Sequence, residues 1–137
     1  MEEVRVGDII LVDSFASRGT SIGRHSFVVI EDQNGEVCTL QYDFIALLLS
    51  SFKTEEQREA KLKYPGNFSV TNSAEDVKEG NSKDGFIKAE QFYYFSKAKT
   101  NYRVIGQLKP ETLAELMDFI EALSAKGVAI EQIVDNL

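Results

Sequence analysis

His25 is the only histidine in the chain, and it directly follows Arg24 at the head of the apolar run Phe27-Val28-Val29-Ile30. An imidazole accepts or releases a proton near neutral pH. A guanidinium stays charged and can fork onto phosphate oxygens. Arg18, Gly19, Gly23 and Arg24 all fall in the polar loop that precedes His25. The loop therefore holds a phosphate-binding group and a proton-transfer group side by side. Loops carried on a rigid sheet are where sites usually sit.

The elements that must position these residues follow from apolar periodicity. Strands are predicted at 7–13, 26–32 and 36–42. Asp32-Gln33-Asn34-Gly35 reads as a hairpin turn, because Asn-Gly accepts the positive φ angles of a tight turn. Asp43 to Ser51 is an apolar run that periodicity cannot assign to buried strand or helix, and a strand continuing from Val37 is expected. Residues 53–66 have helix-forming composition, little apolar periodicity and a Pro-Gly end, which gives a short exposed helix or a loop. Phe68 to Thr71 is a short strand, and Asn72 to Asp84 is a polar surface loop. Gly85 to Lys97 contains a single helical turn near Ala89-Glu90-Gln91 and then an aromatic strand, with two of Phe92, Tyr93, Tyr94 and Phe95 assigned to the core. Tyr102 to Leu108 is the last strand.

A helix begins at Lys109-Pro110-Glu111, since proline suits a first helical turn and an early glutamate favours the positive end of the helix dipole. Leu113, Leu116, Met117, Ile120 and Leu123 make its apolar face, and Gly127 ends it. The tail from Val128 to Leu137 is expected to add a short helical turn. Asp8, beside Gly7, organises a turn. The predicted architecture is mainly β with a C-terminal helix: a small barrel at about 4–108, a helix at about 110–126, and one domain over 1–137.

Composition sets the limits. The chain has 137 residues, 43% of them hydrophobic, enough for one domain with a real core. Cys38 is the single cysteine. It cannot form an internal disulfide and is expected to be a small buried hydrophobe in a reduced, cytoplasmic protein. No apolar stretch spans a bilayer, and the N-terminus has no apolar signal region, so no membrane association is expected. One His and one Cys leave no metal constellation and imply no cofactor. Lys and Arg total 15 against 22 Asp and Glu, for a net charge of −7. That balance opposes general nucleic-acid binding, so any contact with RNA or DNA must be local.

In order along the chain, Val6-Gly7-Asp8-Ile9-Ile10-Leu11-Val12, His25 to Asp32, Phe86-Ile87-Lys88-Ala89-Glu90-Gln91-Phe92 and Val104-Ile105-Gly106-Gln107-Leu108, followed by an amphipathic helix, resemble the PemK/MazF family of toxins. The resemblance implies an SH3-like barrel, often a homodimer. It also implies cleavage of single-stranded RNA without a metal and silencing by an antitoxin peptide. In that family an arginine opening the second strand and a threonine closing the third act on the scissile phosphate. The alignment puts His25 at the arginine, Ser26 at the proline that usually follows, and Ser50 at the threonine. Arg24 stands one residue early, and in a regular strand that shift sends a side chain to the opposite face. It can serve only if the strand begins irregularly.

Cleavage of RNA by its own 2′-hydroxyl needs a base, donors for the phosphate oxygens and an acid for the departing 5′-oxygen. On this reading His25, Arg24 and Ser50 are the catalytic candidates. Arg18, Gly19, Thr20 and Ser21 are the substrate-binding candidates on a groove lined by residues 14–24. Ordinary roles compete: a partly exposed strand-edge histidine, solvated arginines, and a serine that ends a strand by bonding backbone. The competing function is an inactive binding module of the same fold that recognises a protein partner. A general nucleic-acid-binding barrel is disfavoured by the charge.

Overall fold

The computed structural model describes residues 3–71, 75–77 and 84–137. Its strands are β1 (Asp8–Val12), β2 (Phe15–Ser17), β3 (Thr20–Ile22), β4 (His25–Glu31), β5 (Gly35–Val37), β6 (Leu40–Tyr42), β7 (Phe44–Ser51), β8 (Asn67–Val70), β9 (Glu75–Val77), β10 (Gly85–Lys88), β11 (Gln91–Phe95), β12 (Tyr102–Leu108) and β13 (Glu131–Ile133). Two helices, α1 (Glu55–Leu62) and α2 (Pro110–Ala125), complete the described elements. The main sheet runs β13-β11-β7-β4-β1-β12-β9, with β10 on β7 and β8 on β10. Its pairs are antiparallel except β11 with β13. This is the mainly β architecture with a C-terminal helix that the sequence predicts.

Side chains alternate across a strand, and here both faces are apolar. Ile45, Leu47 and Leu49 of β7 join Val28 and Ile30 in a core that packs beneath α2 through Leu116 and Leu123. Phe44, Ala46 and Leu48 face the other way and join Phe27, Val29, Tyr93 and Phe95. Burial on both faces explains the unbroken apolar run from Phe44 to Leu49, which carries no alternation to read. The second core is an aromatic lattice: Phe27 meets Phe15, Tyr93 and Phe95 edge to face, at ring separations of 5.0, 5.2 and 5.2 Å. Of the aromatic strand, Tyr93, Tyr94 and Phe95 are buried, so three rather than two belong to the core.

Several local expectations are corrected. The predicted strand 36–42 folds back on itself as the β5–β6 hairpin, and its two-residue turn is Cys38-Thr39, both at positive φ (51° and 67°), not Asn34-Gly35. Gly35 instead opens β5. Cys38 is thereby carried to a turn and is exposed, not buried. Residues 14–24 are not an open loop: β2 and β3 pair, and Arg18-Gly19 (φ 53° and 80°) form their turn. Ala89-Glu90 is a turn between β10 and β11 rather than a helical one. The tail adds β13 in place of a helical turn. Within Asn72 to Asp84, expected as a loop, Glu75–Val77 pair with β12; 72–74 and 78–83 lie outside the described residues.

Both helices take the ends their sequences prescribe. Thr54 caps α1 by accepting a hydrogen bond from the Gln57 backbone N–H at 3.0 Å. No residue of α1 is buried, as its weak periodicity predicts. Pro110 opens α2, and Gly127 at φ 79° closes it: Gly127 N–H donates to Ser124 C=O and Val128 N–H to Leu123 C=O, each at 3.0 Å. Met117, assigned to the apolar face, is exposed. Asp8 is only 4% exposed, and it organises the first turn by accepting from Arg5 N–H and Gln107 Nε2.

Candidate functional site

Sheet register carries the polar residues to one place. On the β4–β7 ladder Phe27 pairs Leu48 and Ser26 pairs Leu49, so by alternation His25 shares the face of Phe27 and Ser50 the face of Leu48. Directly opposed residues of an antiparallel pair share a face. On the other side of β7, Ile87 pairs Leu49 and Phe86 pairs Ser50, so by alternation along β10 Lys88 shares the face of Phe86 and Ser50. This is the face of the aromatic core. Along it the apolar series Phe44, Ala46, Leu48 ends in Ser50, and the chain opens into a groove of about 800 Å³.

The groove contains His25, Arg24, Ser50 and Arg18 among its lining residues. Arg24 precedes β4, whose first residue is His25, so the alternation of a regular strand does not govern its direction. Gly19, Thr20 and Ser21 do not line the groove, because the hairpin carries them to its tip and outer strand. The Gly19 N–H is also taken, donating to Asp135 Oδ2 at 2.8 Å.

His25 has a defined environment. Its Nδ1 lies 2.7 Å from the Arg24 carbonyl oxygen. A carbonyl only accepts, so Nδ1 bears the proton and Nε2 of the neutral ring holds the free lone pair. The Phe15 ring lies 5.8 Å away, tilted 39° to the imidazole. His25 is exposed at the head of β4, yet partial desolvation, and then the positive charge of Lys88, hold its pKa below its usual value. The shift favours the neutral ring, whose Nε2 can accept a proton.

The cations differ in their commitments. Arg18 is forked onto Glu131, with Nε and Nη2 each donating to a carboxylate oxygen. Arg24 approaches Asp13 at 3.4 Å, and both groups are well exposed. Solvent screening leaves such a pair easy to exchange for another anion. Lys53, Lys61 and Lys88 also line the groove, and among the described residues no aspartate or glutamate does. A chain of net charge −7 thus presents a local cationic surface. Reasoning from sequence misses Lys53, Lys61, Lys88 and the groove-lining Gln57. Lys88 lies in a segment whose place in the chain order, not its charge, carries the family resemblance, and α1 offers no apolar stripe to fix its face.

The fold and groove together define a small β protein with a cation-lined cleft at the end of its aromatic core. The family model for the PemK-like, MazF-like toxin of type II toxin–antitoxin systems matches residues 5–123, and the chain belongs to that family. Among curated proteins the chain has no match. No described helix is long and apolar enough to cross a membrane.

Proposed function

We propose that this chain is the toxin half of a toxin–antitoxin pair and a metal-independent endoribonuclease that cuts single-stranded RNA in the groove. The observation that carries the reading is the shared lining of one groove by His25, Ser50 and Arg24, with no carboxylate on it among the described residues. His25 Nε2 takes the proton of the 2′-hydroxyl, whose oxygen then attacks the adjacent phosphorus. The bond from phosphorus to the 5′-oxygen breaks, leaving a 2′,3′-cyclic phosphate and a 5′-hydroxyl. Arg24 releases Asp13 and holds a phosphate oxygen, and the Ser50 hydroxyl donates a second hydrogen bond to it. The departing 5′-oxygen takes its proton from the imidazolium or from water.

The deciding experiment incubates purified protein with mixed-sequence single-stranded RNA in EDTA and compares His25→Ala, Arg24→Ala and Ser50→Ala. Chelator-resistant cleavage that disappears in His25→Ala is the expected result. Intact RNA with the wild-type protein overturns the nuclease reading and leaves a binding module of the same fold.

A further inference from the structure

Three lysines line the groove, and none is assigned a reacting atom in that chemistry; Lys53 is exposed, while the other two are set deeper. Lys61, near the C-terminal end of α1, and Lys88, at the end of β10, are both half-buried and both line the groove. Neither belongs to any ion pair among the described residues, whose pairs are Arg18 with Glu131, Arg24 with Asp13, Arg58 with Glu55 and Lys97 with Glu3. Burial lowers the pKa of Lys88, and the positive charges of Lys61 and Arg18 lower it further, against a smaller opposing effect of Glu90. Two ammonium groups that repel each other in a partly dehydrated cleft cost stability. A phosphate seated between them removes that cost.

We propose that Lys61 and Lys88 form a two-lysine oxyanion subsite that grips a phosphate of the bound strand next to the one being cut. The proposal rests on the RNA reading for the source of that phosphate. Its geometry is favourable because β7 holds Lys88 on the face that carries Ser50, while α1 brings Lys61 from outside the sheet. Lysine suits such a subsite, because an ammonium on a flexible stem follows a phosphate without fixing its orientation, which leaves orientation to Arg24.

The test uses wild type, Lys61→Gln, Lys88→Gln and the double variant. Each is titrated with a short fluorescent single-stranded DNA, which lacks the 2′-hydroxyl and survives intact, over a range of NaCl concentrations. Inorganic pyrophosphate is titrated separately while the backbone amides of α1 and β10 are followed by NMR. Each single variant is expected to weaken DNA binding by about tenfold at low salt, and to reduce the slope of log affinity against log salt by about 0.7. Pyrophosphate shifts the amides around residues 61 and 88 in wild type and not in the double variant. The thermal midpoint of unliganded Lys88→Gln does not fall, whereas loss of a merely structural lysine lowers it.

DNA bound with an unchanged salt slope in both single variants overturns the subsite and leaves the nuclease reading standing. Pyrophosphate seated on the pair without any binding of DNA or RNA keeps the subsite as a site for free phosphate compounds and overturns the RNA reading. Absence of both ligands overturns the subsite outright.

Discussion

Arg18 and Glu131, 113 positions apart in the chain, meet as a two-point ion pair that ties the β2–β3 turn to β13. The tie is one of several. Asp135 accepts from Gly19 N–H, and the Asn136 amide bonds both the N–H and the C=O of Ala16, at 2.7 and 3.0 Å. The segment from Glu131 to Asn136 thus braces one wall of the groove while neutralising a cation on its rim. It lies beyond residue 123, where the family match ends.

Glu131→Gln frees the Arg18 guanidinium while keeping a side chain of the same length. Tighter binding of single-stranded DNA is expected, with a salt slope steeper by about 0.7. The thermal midpoint changes little, because the pair is solvent-exposed. Adding Arg18→Ala cancels the gain, and fluorescence anisotropy on the two variants reads both effects.

His25 is the only histidine in the chain, so its titration can be followed by NMR without overlap from another imidazole. The midpoint is expected below the usual histidine value, and cleavage rises with pH through that midpoint and levels off by neutrality, as a neutral base requires. Lys88→Gln moves the midpoint upward but only part of the way, because burial is the larger cause. The sign for stability follows from the same shift. The unfolded chain binds the proton at a pH where the folded chain does not, so stability rises with pH between the two midpoints and is lost as the pH falls through them. His25→Ala lowers cleavage by about 10²–10⁴-fold.

Much of this arrangement is legible in the residues, and the failures have physical causes. Most of the ordered segments and the helix ends at Pro110 and Gly127 follow from local patterning, whereas the strand at Phe44 to Ser51, buried on both faces, carries no period that separates it from a helix. His25 and Ser50 are candidates on residue type and alignment and Arg24 on residue type alone, and all three line one groove, the first two through the alternation of β4 and β7. The Cys38-Thr39 turn is not legible, because a cysteine and a β-branched residue seldom adopt positive φ and Asn34-Gly35 offers a better local turn. The brace at Glu131 to Asn136 escapes for another reason. Its partners lie more than a hundred positions away, at Ala16, Arg18 and Gly19, and no periodicity encodes such a contact. Lys61 and Lys88 are hidden likewise, since charge on an exposed helix and at a strand end reads as ordinary solvation.

Gly85 shows how closely β10 is set against the strand that carries Ser50. A Cβ at this position presses into the Ser50 carbonyl oxygen, which is backbone and cannot swing aside. Gly85→Ala is therefore expected to push β10 off β7 and destabilise the fold by about 1–3 kcal/mol, as overpacking does. Because β10 also ends in Lys88, DNA binding weakens together with the thermal midpoint. Urea denaturation with an unchanged midpoint contradicts the packing.

Ser50 separates the contribution of a hydroxyl from that of the strand it closes. Its position on β7 is fixed by pairing with Phe86 on one side and by the β4 ladder on the other, so removing only the oxygen leaves the register intact. Ser50→Ala deletes one donor to the phosphate. If that donor acts mainly on charge that develops as the bond breaks, cleavage falls by about 10²–10³-fold, the scale of a lost oxyanion donor, while DNA affinity changes far less. Ser50→Thr retains the hydroxyl and restores most of the rate, since a β-branched side chain suits a strand. A Ser50→Ala protein that cleaves like wild type removes the residue from the mechanism, and equal losses in affinity and rate assign it to ground-state binding.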